Sequence, residues 1–456
     1  MTLSTIYRIL PTTLQDVAIS LYGANLKRIR YGEGFKNYLS FLEDALSWSR
    51  EKLENYQFER LQIVLTYAYE TVPFYRTKFQ EIGLVPSDIT SLSHIKNLPV
   101  IEKNDIRTHF GELVSTKHVG RVVKLKTSGS TGTPLTVLRT KESIMHQFAN
   151  NWRQFRWLGI DFRDRLASFN GRLIVPSAKD TKRPFRRNNG GNQTLFSVYH
   201  LDDVHMKYMV EELQRGEYRY VVGYPSALST IANYMINHDQ VLSGLKGVFT
   251  SSETLYPEMR KAIESAFSTV VLDEWGAAEL TASFLQYPDG YYYQNAEDSI
   301  VEVFPNTDGT YRLIVTDLTN LAMPLIRYDI GDTVEVARRH EDDRPSFDRL
   351  TVRSIVGRED DILVTADGRR HGRLSLVKGI AGISKSQIVQ LSLNEIVFNI
   401  VATDEFDQAQ QSRLLRNARE KLGDMSFRVE IVHDIPHEQN GKFKGVINCL
   451  QKNRLH

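Results

Sequence analysis

Between Tyr218 and Leu272 short apolar runs alternate with segments of helical spacing, and this alternation constrains the fold more than any other feature of the chain. Tyr218–Val222, Gly247–Thr250 and Val270–Leu272 read as strands, and Pro225–His238 and Pro257–Phe267 as helices. Strands interleaved with helices at this spacing imply an α/β fold, a mixed or parallel sheet covered by helices. Downstream, Ile300–Val303 and Tyr311–Thr316 read as antiparallel strands joined through an Asp308–Gly309 turn. Upstream, Arg50–Phe79 is helical in pattern and is broken at Pro73. A short strand, Val122–Leu125, follows a proline-punctuated stretch that ends near Val114.

The last hundred residues read as a separate unit. Gly357–Asp361 is a charged break, Gln387–Leu391 and Val397–Ala402 are strands, Glu405–Leu422 is an amphipathic helix and Arg428–His433 a further strand. Asp361–Val364 fits a first strand of the unit. The expectation is a large N-terminal domain over 1–357 and a small α+β lid over 358–456, with the junction near Asp360. A length of 456 residues accords with more than one core.

Charge and cysteine content narrow the classes of function. The 57 basic and 55 acidic residues are mixed along the chain, and a net charge of +2 offers no field for nucleic acid or an anionic membrane. One cysteine, Cys449, excludes an internal disulfide and a multi-cysteine zinc site. No signal peptide and no bilayer-length apolar run is evident, so a cytoplasmic enzyme or binding protein is expected, with oligomerisation left open.

Five segments carry candidate chemistry. Thr127-Ser128-Gly129-Ser130-Thr131-Gly132-Thr133-Pro134 follows a strand and combines hydroxyls with glycines, a composition that wraps phosphate oxygens through backbone N–H groups. A Ser/Gly linker has the same composition, and no Gly-Lys-Ser/Thr follows to make it a P-loop. Asp273-Glu274-Trp275-Gly276-Ala277-Ala278-Glu279 comes just after the Val270–Leu272 strand. It offers a ring for a purine and, four residues on, a carboxylate for Mg²⁺; a core tryptophan with a solvent-facing glutamate is the other reading. In Ile326-Arg327-Tyr328-Asp329-Ile330-Gly331-Asp332, Asp332 follows a glycine turn and suits ribose hydroxyls, as would any β-turn aspartate the turn itself. Gly357-Arg358-Glu359-Asp360-Asp361 is a hinge or a charged linker. Gln439-Asn440-Gly441-Lys442-Phe443-Lys444-Gly445 is an exposed basic loop.

In order and spacing these five segments resemble the adenylate-forming superfamily of acyl-CoA synthetases, peptide-synthetase adenylation domains and luciferases. Within it the chain is most similar to the phenylacetate–CoA ligase branch and its CapK-like relatives, often linked to polysaccharide biosynthesis. The resemblance spans nearly the whole chain. It includes Tyr69–Tyr75, Leu98-Pro99-Val100, Asn170-Gly171-Arg172, Ser197-Val198-Tyr199-His200, Gly223-Tyr224-Pro225-Ser226 and Asp361–Arg369.

The resemblance implies a division of labour. Thr127, Ser128, Gly129, Ser130, Thr131 and Gly132 form the phosphate loop, with Ser128, Ser130 and Thr131 gripping ATP. Ser252 and Glu253 line the adenine pocket, Trp275 beside Gly276 stacks on the base, and Glu279 holds Mg²⁺. Asp332 and Arg358 take the ribose, Asp360 is the hinge, and Lys442 is the lysine that the small domain delivers. His200 and Tyr224 are candidates for the carboxylate pocket, a structural role being the alternative for His200. Three departures stand out: Trp275 replaces the usual Tyr or Phe, Ala278 replaces a frequent Thr, and Lys444 lies close enough to exchange roles with Lys442.

The implied reaction activates a small-molecule carboxylate as an acyl-AMP with ATP and Mg²⁺. The substrate carboxylate attacks directly, so no nucleophilic side chain is needed. The acceptor stays open among CoA, a carrier-protein thiol and an amine such as an amino sugar. A nucleotide-binding subunit without chemistry is a rival that would need neither Lys442 nor Glu279.

Overall fold

The structure, a computed structural model, describes residues 7, 9–32, 34–117, 120–126, 135–172, 174–175, 182–307, 309–337, 349–358, 363–365, 370–371, 376–377, 380–436 and 444–450, with backbone alone at 126, 357, 358, 370, 371, 420 and 421. At its centre lies a sheet of twelve described strands. One half is parallel: Val271–Gly276, Gly247–Ser251, Tyr220–Gly223, Leu166–Phe169 and Gln193–Phe196 lie side by side in that order, edged by antiparallel Phe185–Asn188. Their runs are apolar on both faces because both faces are covered. Val221, Val248 and Val271 pack with Ile231 and Ile263 of the Pro225–Asn237 and Pro257–Phe267 helices. Tyr220, Phe249 and Leu272 face the other way, toward Trp152 of the Lys141–Trp157 helix and Phe35 and Leu39 of the Phe35–Asp44 helix.

The other half is antiparallel and continues through Ser283–Gln286, Tyr292–Gln294, Thr351–Arg358, Tyr328–Val336, Tyr311–Asp317 and Ser299–Pro305. The two halves meet at Val271–Gly276, parallel to one neighbour and antiparallel to the other. Here the sequence reading is corrected: the strand does not stop at Leu272. Glu274, Trp275 and Gly276 stay extended because Leu285, Phe284 and Ser283 pair with them. The Ser299–Pro305 and Tyr311–Asp317 strands do pair antiparallel; Asp308 of the expected turn lies outside the described residues. Pro73 divides the upstream pattern into two helices, Arg50–Thr71 and Pro73–Glu81, as expected. The Thr12–Arg30, Lys141–Trp157 and Asp203–Arg215 helices had not been read from the sequence.

The C-terminal residues build a four-stranded sheet in the order Ser426–Ile431, Glu395–Ala402, Ile383–Ser392, Val446–Asn448. The central pair is antiparallel and both outer strands are parallel to their neighbours. Leu414, Ala418 and Leu422 of the Gln408–Leu422 helix join Ile396, Phe398 and Ile400 in a core of their own. That helix begins at Gln408 rather than Glu405, because the Asp407 carboxylate accepts the Gln410 N–H at 2.9 Å and caps it. Val446–Asn448 is an addition to the strands read from the sequence. Leu363–Val364 pairs with Arg370–His371 and is clamped by the buried Gln390 amide, which bonds both backbone groups of Val364. Asp361 and Ile362 lie outside the described residues.

Candidate functional site

The parallel strands end together, and their carboxyl ends carry much of the predicted site, the usual place for a ligand crevice in an open α/β sheet. Tyr224 follows the strand ending at Gly223, Ser252 and Glu253 follow the one ending at Ser251, and Trp275 and Gly276 close the third. Glu253 Oε2 accepts the Ser226 N–H at 3.0 Å, which seats its charge at the positive end of the Pro225–Asn237 helix. Ser252 is exposed and left-handed, with φ 73°. A serine gains nothing intrinsic there and loses about 1–2 kcal/mol, so the strand-to-helix turn imposes the conformation. Trp275 is half-buried, its ring 5.5 Å from that of Phe284. Gly276 is exposed, and a Cβ at this position would make only ordinary contacts, so its bareness leaves room beside the ring rather than relieving strain.

Glu279 does not face solvent, as the alternative reading of a core tryptophan with a solvent-facing glutamate required. It is 4% exposed, and its Oε1 accepts from the Tyr328 hydroxyl at 3.1 Å. No cation among the described residues pairs with it. A carboxylate desolvated without a countercharge is costly, and one oxygen ligand beside substrate phosphates is the kind of support Mg²⁺ accepts. Tyr328 is held by its neighbours: Ile101 bonds the flanking Arg327 carbonyl and Asp329 N–H, at 3.0 and 2.9 Å. The Arg327 guanidinium grips Glu302 in a two-pronged ion pair, 2.8 Å on each arm, and takes the Lys96 and Leu98 carbonyls. Arg327 is therefore a structural anchor. Leu280 and Arg327, φ 59° and 48°, are left-handed at either side of the Glu279–Tyr328 contact.

Asp332 does not end a β-turn; it lies inside the Tyr328–Val336 strand, directly across from Arg358 in the antiparallel register. The two residues assigned to the ribose thus occupy one cross-strand pair. Gly331, φ 73°, interrupts the pairing as a bulge, and a Cβ on it would come 3.1 Å from Lys103 Nζ.

Thr127, Ser128, Gly129, Ser130, Thr131, Gly132, Asp360 and Lys442 lie outside the described residues, as does the Arg358 side chain. Their flanks are described. Val122–Lys126 and Thr136–Thr140 pair antiparallel with Lys126 opposite Thr136, so the phosphate-loop segment bridges two strand ends held in register. Arg139 of that hairpin is buried against Asp317, and Asn320 bonds the Thr140 N–H and the Leu138 carbonyl. These contacts pin the hairpin to the antiparallel half. Past Lys442, the Lys444 carbonyl accepts from Gln387 at 2.9 Å and the Gly445 carbonyl from the Ile388 N–H.

His200 is buried and bonded through Nδ1 to Ser197 Oγ at 2.8 Å. Neither it nor Tyr224 lines the cavity of about 250 Å³ that opens under the same strand ends. Residues not read as functional do: Arg30, Asn151, Arg172 and Glu274. Glu274 Oε2 accepts from Asn151 at 3.0 Å, and burial followed by the charge of Asp273 pushes its carboxyl up to about 7. Two successive carboxylates, Asp273 and Glu274, directly after the apolar Val270–Leu272 run were the available signal.

The comparisons agree with this architecture. Residues 370–449 match the model of the CapK C-terminal domain. The chain is 26% identical to the CapK protein of Staphylococcus aureus over 98% of its own length and all of that protein. It is 24% identical to a phenylacetate–coenzyme A ligase of Pseudomonas putida, over 91% of this chain and 90% of the other. Its fold is similar to that of 2-hydroxyisobutyryl-CoA ligase in the postadenylation state, with a TM-score of 0.66 and 19% identity over 90% and 92% of the two chains.

Proposed function

We propose that this chain, a CapK-like relative of the phenylacetate–CoA ligases built on the adenylate-forming fold, activates a carboxylic acid with ATP and passes the acyl group to a thiol. The observation that carries this reading is Glu279, a buried carboxylate without a described countercharge, held by Tyr328 at the carboxyl edge of the sheet that also carries Trp275. A binding module has no use for such a group.

In the first half-reaction the substrate carboxylate forms a bond to the α-phosphorus as the bond to pyrophosphate breaks. Two anions must meet, so the work of the protein is positioning and charge compensation. Trp275 and Glu253 hold the base, and Asp332 with Arg358 holds the ribose. Ser128, Ser130 and Thr131 hold the phosphates, and Lys442 offsets charge at the α-phosphorus. Glu279 would hold Mg²⁺, which supplies further neutralisation when bound. In the second half-reaction a thiolate, of CoA or of a carrier protein, attacks the acyl carbon and AMP leaves. Residues 1–357 act as the nucleotide-binding body and 358–456 as a lid that turns about Asp360 to bring Lys442 in and out.

The test follows from the bonds. Purified protein with ATP and a panel of acids should release AMP and pyrophosphate, and hydroxylamine should trap a hydroxamate. Lys442→Ala should nearly abolish pyrophosphate release yet spare transfer from presynthesised acyl-AMP. ADP as the product overturns the reading. Supplying CoA, a carrier thiol or an amino sugar in turn identifies the acceptor.

A further inference from the structure

The cavity beneath the strand ends has a composition that an apolar acid does not explain. Its walls include Phe148 and Trp152 of the Lys141–Trp157 helix, and Lys27 and Arg172, both exposed, mark its mouth. Arg30, half-buried, lies with its guanidinium 4.3 Å from the Phe148 ring centre. Glu274 reaches the cavity from the sheet, on the same strand as Trp275. Adjacent residues of a strand point to opposite faces. Trp275 and Glu274 therefore serve two sides of one strand end: a base can stack on one side while an acid lies on the other.

We propose that this cavity is the acyl pocket of the adenylation site and that Glu274 determines its specificity, selecting acids that carry a hydrogen-bond donor, hydroxyl or ammonium, on the acyl chain. The inference rests on the proposed adenylation reaction. The donors to Glu274 among the described residues are two amides, Asn151 at 3.0 Å and Gln147 at 3.4 Å. A carboxylate offers about four acceptor positions, so acceptor capacity remains toward the cavity.

The other charges nearby are accounted for. Asp273 accepts from the Thr250 and Tyr292 hydroxyls at 2.6 and 2.7 Å and does not line the cavity. Asp164 does line it, but is paired with Lys246 at 2.6 Å. Among the described residues no cation lies within ion-pairing distance of Glu274; Lys27, Arg30 and Arg172 form a positive surround that draws in an anionic acid. An unsubstituted acyl chain in this cavity would displace water from Glu274 and return no donor. Glu274 is half-buried where it reaches the cavity, and a site whose polar group loses its water to the ligand discriminates against the analogue that returns no partner.

The experiment uses the full chain and matched sets of C3 to C6 acids, each plain acid beside its hydroxyl and amino derivatives. ATP–pyrophosphate exchange should favour a substituted acid over its plain counterpart by about 100-fold or more in kcat/KM. Glu274→Leu should reverse that order. Glu274→Gln, which keeps a carbonyl acceptor but no charge, should retain hydroxy acids and lose amino acids; a preference for the amino derivative in the unmodified protein identifies the ammonium as the donor. Plain acids used equally well, or an order unchanged by Glu274→Leu, overturn the proposal while leaving adenylation intact. If no acid supports exchange, adenylation fails, and calorimetric titration with the same acids judges the pocket alone. Tighter binding of substituted acids that Glu274→Leu abolishes sustains it, and equal binding overturns it.

Discussion

Replacing Tyr328 with phenylalanine removes one oxygen from the interior and tests whether Glu279 is held for a purpose. Tyr328 is fully buried, and its backbone is fixed by Ile101 on one side and by the Arg327 anchor on the other, so the ring should stay in place. What is lost is the donor at 3.1 Å from Glu279 Oε1. A hydrogen bond to a charged group contributes about 1.5–3 kcal/mol. If the whole of that serves to orient the carboxylate toward the nucleotide's metal, and each 1.36 kcal/mol is tenfold in rate, adenylation should fall by about 10- to 150-fold. Pyrophosphate release measured against Mg²⁺ concentration is the assay, and the apparent Mg²⁺ requirement should rise in Tyr328→Phe. Glu279→Gln should lose about two to three orders of magnitude, and the double variant little more, because both remove one function. Wild-type rate and Mg²⁺ dependence in Tyr328→Phe, beside an inactive Glu279→Gln, would refute the reasoning: the carboxylate would matter and its tyrosine would not.

Two further outcomes concern stability. Glu297 is buried between Arg153 and Arg349, whose charges outweigh its desolvation and bring its carboxyl down to about 2. Its contribution is present above about pH 4.5 and is lost as pH falls toward 2. Arg349→Met should cost about 3–5 kcal/mol at pH 7, read from the urea midpoint, and a loss under about 1 kcal/mol would show that Arg153 alone suffices. Glu274 carries the opposite sign: with its carboxyl raised to about 7, the native state holds the proton more tightly, so stability declines as pH rises from about 4.5 to 7. The full shift corresponds to about 3 kcal/mol, so Glu274→Gln should flatten the pH dependence of the thermal midpoint, and parallel wild-type and variant curves would contradict it.

The sequence determined what local chemistry decides. Three parallel strands, those at Tyr220–Gly223, Gly247–Ser251 and Val271–Gly276, were legible because burial on both faces requires uniform apolar runs, whereas Leu166–Phe169 and Gln193–Phe196 were not read. Pro73 ended one helix and opened the next because its ring fits only a first turn. The segments containing Glu253, Trp275, Glu279 and Asp332 were legible as motifs, since their residue types and order survive without coordinates. Tertiary structure decided which neighbours each side chain meets. Glu274, Trp275 and Gly276 look like the start of a loop, yet pairing with Ser283–Gln286 keeps them extended and sends alternate side chains to opposite faces. Asp332 looks like a turn residue, yet the strand that ends at Arg358 turns it into half of a cross-strand pair. Glu279 is a buried carboxylate bonded to Tyr328, 49 positions away. Burial and the partners that compensate it are properties of contacts distant in sequence, and no periodicity or motif encodes those.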